Sequence, residues 1–217
     1  MHIHVNSRNP IARSSDSDFV VPLLVNVIAQ GKFSMESSAD DRDSEYVVGR
    51  LWAERLDWAL GETLGFHPVQ LCDAASATWL QVYETLVSKK RIGFRRDLRL
   101  PDTVEDLVFV HELLIHPEVP DRLPVLDAAL RAISGSRSLL LMQYSASPTP
   151  SVSNLELRDL GFKKVVRNNL LLRDNHYRYP FADTQQAGCN VDFEATAEHE
   201  EWLLDQWDCL VADEPSL

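Results

Sequence analysis

The chain is poor in cysteine, in glycine and in basic residues. It has three cysteines and eight glycines among 217 residues, and 21 Lys and Arg against 33 Asp and Glu. Cys72, Cys189 and Cys209 are odd in number and form no C-x-x-C pair, which argues against a disulfide framework and indicates a reducing compartment. The net charge of −12 excludes the basic footprint that nucleic acids and anionic membrane surfaces require.

Long apolar runs are also missing. No segment reaches the roughly 20 apolar residues of a membrane-spanning helix. Residues 19–29 are apolar, but Pro22 and Asn26 interrupt them and the acidic Asp16 and Asp18 precede them, unlike a secretory signal. We therefore expect a cytoplasmic protein with no membrane or nucleic-acid partner. The acidic charge suits a cationic partner such as an amine, either a small molecule or a protein side chain.

An apolar share of 45% is ample for a folded core. We expect an N-terminal arm and linker over residues 1–43, partly disordered because Ser34 to Asp43 is acidic and Ser-rich. Residues 44–174 are expected to form the domain. Residues 175–217 form an acidic extension whose residues 192–211 are spaced as an amphipathic helix. That helix is expected to pack on the body, cover a sheet edge or mediate self-association.

Within the first hundred residues, hydrophobic periodicity predicts several elements. His2 to Val5 reads as a short edge strand, and residues 19–30 as an apolar element of undecided type. Apolar residues from Ser44 to Leu64 recur at helical spacing and predict a long helix. Residues 69–72 read as a strand and 74–89 as a helix, and the alternation over residues 91–100 predicts an exposed strand.

The order of elements after Asp106 is the most informative feature. A buried-strand run over residues 107–117 precedes a helix-period segment over 122–133, and a second apolar run covers 139–144. The segment Asn154–Phe162 and a last strand over residues 165–172 follow. This order resembles the second half of a GNAT-superfamily N-acyltransferase.

Two short motifs carry the resemblance. Glu112-Leu-Leu-Ile-His-Pro117 is similar to the Glu-Leu-x-Val-x-Pro ending of that family's fourth strand, and Leu160-Gly-Phe162 is similar to its Leu-Gly-Phe signature. The resemblance implies an α+β fold with a mixed, mostly antiparallel central sheet flanked by helices, here with N- and C-terminal extensions. Whether residues 69–89 or the predicted Ser44 helix supply the family's first elements stays open.

The resemblance also implies transfer of an acyl group, typically acetyl, from coenzyme A to an amine. In that family the fourth and fifth strands splay apart, so that unpaired backbone groups hold the thioester. The backbone at Leu114 and Ile115 is the matching position. Glu112 is the expected base, and Tyr144, at the end of the fifth strand, is the nearest acid to protonate the leaving thiolate.

The loop that should bind the coenzyme pyrophosphate departs from the family pattern. It lacks the usual glycines, and Pro120 and Pro124 offer no N–H donors. Asp121 is placed to cap the following helix, where its carboxylate repels phosphate. Arg122 is the one residue that attracts phosphate, and with Leu123 it forms the expected coenzyme contact.

No metal site is expected. Glu112 and His116 fall on one strand face about 13 Å apart, too far to share an ion, and His111 is expected on the other face. The altered loop leaves a second class of function open, in which the fold is a non-catalytic interaction or regulatory module. A third alternative resembles acyl-homoserine-lactone synthases, which take their acyl group from a carrier protein.

Overall fold

A computed structural model describes residues 1–7, 15–31, 44–88, 93–100, 103–143, 152–165, 169–175 and 193–211. The described residues form seven strands: β1 (His2–Ser7), β2 (Val20–Gln30), β3 (Glu45–Leu56), β4 (Asp106–Ile115), β5 (Ser138–Gln143), β6 (Lys163–Lys164) and β7 (Leu170–Asp174). They also form six α-helices: α1 (Trp58–Thr63), α2 (Pro68–Ala75), α3 (Ala77–Leu86), α4 (Arg122–Ala132), α5 (Asn154–Asp159) and α6 (Ala197–Val211). The predicted α+β class is confirmed.

The seven strands make one open sheet in the order β1-β2-β3-β4-β5-β7-β6. Every neighbouring pair is antiparallel except β4 and β5, which are parallel. A parallel connection needs a crossover, and α4 provides it between these two strands. Edge strand β6 consists of Lys163 and Lys164, and such charged edges discourage pairing with other chains.

Helices cover both faces of the sheet. On one face, α4 and α5 pack on a core that includes Val110, Leu113 and Ile115 of β4. The other face is covered in two halves. Helices α1 to α3 cover the half near the start of β4, around Leu107 and Phe109. Helix α6 covers the half near its end, where Leu203 and Trp207 pack with Leu114.

The predicted Ser44 helix is wrong, because residues 45–56 form the central strand β3. This strand is buried on both sides, with Leu51 and Ala53 facing the α4 core and Trp52 facing α6. Because Trp52 adds an apolar residue to the second face, which also carries Glu54, the apolar positions of β3 satisfy a helical spacing as well. Only residues 58–63 are helical in this region.

Two further assignments are wrong. Residues 68–75 form α2 and not a strand, because Pro68 stands at the first helical position and the His67 side chain accepts a hydrogen bond from the Val69 N–H. Residues 96–98 form a 3-10 turn and not an exposed strand. The predicted disordered linker lies outside the described residues.

Several other sequence assignments agree with the structure, but the strand predicted over residues 165–172 does not: the described residues there form the short β6, which ends at Lys164, and β7, which begins at Leu170. Strand β1 pairs with β2, so the part of the N-terminal region that is described belongs to the sheet. Helices α3, α4 and α6 and strands β4 and β5 fall where the periodicity places them. Among the described residues, no helix is both long enough and apolar enough to cross a membrane.

Candidate functional site

Strand β4 is longer than its parallel neighbour. The described β4–β5 ladder runs from Asp106 paired with Ser138 to Val110 paired with Met142. Strand β4 then continues to Ile115, past the end of this ladder. The side chains of Leu114 and Ile115 are buried in the two cores.

The pairing of β4 with β3 contains a β-bulge at the same level. Ala53 pairs with Val110 and Trp52 pairs with Glu112, so His111 is the extra residue. Paired residues share a sheet face, which places Glu112 on the face of Trp52. The His111 ring stacks on Trp52 with ring centroids 4.2 Å apart, so it lies on that face too. The expectation that His111 faces the opposite side is therefore wrong, because a bulge breaks the alternation.

His111 faces a carboxylate from β3. Its Nε2 lies 3.1 Å from Oε2 of Glu54, in a pair with side-chain exposures of 16% and 23%. The ring N–H is not aligned for a standard hydrogen bond, so the contact is chiefly electrostatic. Trp79 of α3 donates a hydrogen bond of 2.9 Å from Nε1 to the same Oε2, which fixes the carboxylate in place. Phe109 meets the His111 ring edge-on.

These contacts keep Glu54 ionised. Its burial alone would raise the carboxyl pKa, but the adjacent His111 imidazole and the hydrogen bond from Trp79 outweigh that effect and lower it. The ionised carboxylate therefore orients the His111 imidazole. Glu112 lies next to His111 on the same face. The structure thus brings two carboxylates and one histidine to one face, beside the end of the described β4–β5 ladder.

The loop after β4 does not form an anion cradle. Asp121 adopts a left-handed conformation with φ of 47°, and its side chain makes no capping hydrogen bond. Arg122 instead forms a salt bridge from Nη2 to Oε1 of Glu156 on α5, 2.5 Å long. Leu123 packs against the α4 core. The predicted phosphate-binding cation is thus already paired with a carboxylate, and this loop does not fit a pyrophosphate.

Tyr144, the expected acid, lies outside the described residues. Its neighbour Gln143 is the last residue of β5 and pairs with Leu170 of β7. The role expected for Tyr144 remains a prediction.

A second cluster of titratable groups lies where β4 ends. Ligand atoms of His116, Glu118 and His199 lie within 4.8 Å of one another. His199 Nε2 is 3.1 Å from Glu118 Oε2. Sequence spacing does not reveal this cluster, because His199 lies on α6 and is far from His116 along the chain.

Hydrogen bonds to the two rings do not favour a metal ion there. The Nδ1 atom of His116 accepts from the Glu118 N–H at 3.2 Å, and that of His199 accepts from the Thr196 N–H at 2.9 Å. In each neutral ring the proton then sits on Nε2, which in His199 is the atom beside Glu118. A metal bound at Nε2 would need that atom unprotonated, so these rings are set to donate hydrogen bonds. We interpret His116, Glu118 and His199, called the clasp below, as contacts that hold α6 against the end of β4.

The clasp makes stability depend on pH. Burial lowers the pKa of His116, the neighbouring His199 lowers it further, and Glu118 opposes the shift. The unfolded chain therefore binds a proton more readily than the folded chain, and stability falls as the pH drops below about 6.5. We expect His116→Asn, whose amide oxygen can still accept from Glu118, to reduce the loss of unfolding free energy between pH 7.5 and 5.5.

Urea denaturation at both pH values measures this difference. His67→Asn is the matched control, because the exposed His67 also accepts a backbone hydrogen bond two residues on. An unchanged pH dependence in His116→Asn would contradict the assignment.

Comparison of this chain with protein-family models, curated proteins and solved structures finds no match.

Proposed function

We propose that the chain is a divergent GNAT-like N-acyltransferase, which moves an acyl group from coenzyme A to an amine. One observation carries the proposal: β4 continues past the described ladder with its parallel neighbour, and a bulge at that level brings acid–base side chains to one face. In the proposal, the backbone at Leu114 and Ile115 hydrogen-bonds the thioester and polarises its carbonyl. The net charge of −12 suits an amine that arrives as a cation.

In this proposal the residues divide the acid–base work. Glu112 holds the incoming ammonium, and His111 takes its proton, with Glu54 orienting the ring and balancing its charge. The free amine attacks the thioester carbonyl, the C–S bond breaks, and the second amine proton leaves with the thiolate. Imidazole suits the base role because a histidine exchanges protons near neutral pH, whereas an ionised carboxylate such as Glu54 is a weak base.

A second candidate is a non-catalytic interaction module, and the Arg122–Glu156 salt bridge favours it. A loop that pairs its own cation has little left to hold a coenzyme diphosphate. Helix α6 does not by itself support this reading, because its apolar residues Leu203 and Trp207 are buried against the sheet of the same chain. Self-association through that face would require α6 to detach.

Thermal unfolding with acetyl-CoA separates the two candidates. A ligand with Kd of about 0.1 mM, added at about 1 mM, stabilises the folded state by about 1.4 kcal/mol. For a chain of this size that raises the melting temperature by about 3–5 °C. The transferase proposal expects such a rise. No rise at millimolar acetyl-CoA would contradict it and leave the interaction module.

Asp121→Gly sharpens the experiment. Glycine suits the left-handed φ of 47° at this position and removes a carboxylate from the loop, so we expect it to strengthen acetyl-CoA binding. Asp121→Asn is the matched control, because it removes the charge while keeping a side chain that tolerates this conformation. Equal shifts in all three proteins would mean that the coenzyme does not approach this loop.

A further inference from the structure

A large cavity lies near the start of β4, away from the acid–base side chains of His111 and Glu112. It has a volume of about 1270 Å³ and is bordered by α1, the start of α2, the end of α3 and the segment leading into β4. Glu105 borders it, six residues before His111 on the extended chain. At about 3.3 Å per residue the two sites are about 20 Å apart. The proposed acyltransferase chemistry therefore leaves this cavity unexplained.

The floor of the cavity is aromatic. Trp58, Phe66, Tyr83 and Phe94 all line it. The Trp58 ring lies 5.3 Å from the Phe94 ring and 6.3 Å from the Tyr83 ring, between centroids. Trp58 is nearly buried, so the floor is fixed by packing and is not a chance exposure. Such a surface suits a flat or apolar body.

The rim of the cavity is basic, in contrast to the rest of the molecule. Arg95, Arg96, Arg99 and Arg137 line it, against two glutamates. The described residues 93–99 contain three Arg and one Asp, in a chain whose net charge is −12. Such a local reversal of charge attracts an anion to this opening, against the field of the whole protein.

Two of these arginines form ion pairs with other described residues, and two do not. Arg95 donates to the Thr85 carbonyl at the end of α3 and pairs with Asp97. Arg137 pairs with Glu105. Arg96 and Arg99 are exposed and make no ion pair within the part of the chain that the structure describes. No described residue forms an ion pair with their guanidinium groups, which can therefore bind a carboxylate, sulfonate or phosphate.

The segment that carries these arginines is held in place. Val87 and Phe94 form an isolated antiparallel bridge, and the Arg95 N–H donates to the Leu86 carbonyl at 2.8 Å. Gly93 has φ of 101°, which only glycine adopts without strain, and it directs Phe94 toward the floor. The 3-10 turn that follows places Arg96 at the rim.

We propose that this cavity binds a small amphipathic anion, with an aromatic or apolar body on the floor and an acidic group at Arg96 and Arg99. A neutral apolar molecule would leave the arginines unused, and a cation would be repelled by them. The volume is above the usual range for a drug-sized ligand, so a small anion fits with water beside it.

The test uses two fluorescent dyes of the same shape. The anionic probe is 8-anilinonaphthalene-1-sulfonate, and N-phenyl-1-naphthylamine is the same molecule without the sulfonate. We expect the sulfonate to bind the wild-type protein at micromolar concentration, and Arg96→Gln with Arg99→Gln to weaken it about tenfold. The neutral dye should bind more weakly and respond little to that change.

The control is Arg158→Gln with Lys163→Gln, which removes the same charge from exposed positions elsewhere on the protein. It should leave sulfonate affinity within about twofold, and circular dichroism should show all three proteins folded. Equal weakening in both double variants, equal binding of the two dyes, or no sulfonate binding would each overturn the proposal.

Discussion

Replacing Asp127 with alanine is expected to remove about 3–5 kcal/mol from the free energy of unfolding. Asp127 of α4 and Arg173 of β7 form a salt bridge in which both side chains are fully buried. Arg131, one turn on, also contacts Asp127 at 2.8 Å. Without the carboxylate, the buried Arg173 guanidinium loses this counter-charge. A domain is commonly stable by only about 5–15 kcal/mol, so much of the protein should unfold under mild urea.

Two comparisons separate the buried charge from the loss of packing. Asp127→Leu with Arg173→Met replaces the pair by apolar groups and should recover most of the stability, because no unpaired charge remains. Glu105→Ala breaks the exposed Arg137 pair, whose side chains are about half exposed, and should cost less than about 1 kcal/mol. Urea denaturation measures all three. If the double variant were no more stable than Asp127→Ala, the buried charge would not be the cause.

The sequence predicts the second half of the fold better than the first. Strands β4 and β5 are short apolar runs bounded by turn residues, and α4 between them begins beside Asp121 as expected. A buried strand, a helix and a second buried strand in succession indicate a parallel pair with a crossover. Local pattern and tertiary pairing agree there, so periodicity is sufficient.

Strand β3 shows why the first half could not be predicted in the same way. Its second face carries both the apolar Trp52 and the charged Arg50 and Glu54, so its apolar residues fit a helical spacing as well as that of a strand. Its identity comes from pairing with β2 and β4, which are distant in sequence. Only the contacts of the folded state decide such an element.

The candidate site could be predicted only in part, because it too depends on the pairing of strands that are distant in sequence. Glu112 follows from the resemblance of a short motif. The sequence of β4 does not indicate the single-residue bulge at His111. Strict alternation along the strand therefore predicted the opposite face for this side chain. Glu54 lay in a segment predicted as helix, so its position opposite β4 was not considered. The acid–base group thus arises from pairing and not from a motif.

Within the proposed transferase, His111→Gln is expected to lower kcat by about 10²- to 10⁴-fold, the range lost when a positioned base is removed. Glutamine is similar in size and can still contact Glu54 and Trp52, so the amine should bind and KM should change little. Release of coenzyme A from acetyl-CoA in the presence of an amine measures the rate. An unchanged kcat would exclude His111 as the base and return that role to Glu112.

Two variants complete the series. Glu54→Gln should also lower kcat, because the carboxylate orients His111 and balances its charge, while the Trp79 hydrogen bond can be kept by the amide oxygen. His2→Gln is the matched control: His2 also faces a glutamate, Glu45, but at 3.8 Å and half exposed near the sheet edge. It should leave kcat unchanged. Similar losses in His2→Gln and His111→Gln would indicate a general effect on the sheet, whereas a loss confined to His111 and Glu54 places the proton transfer at the bulge of β4.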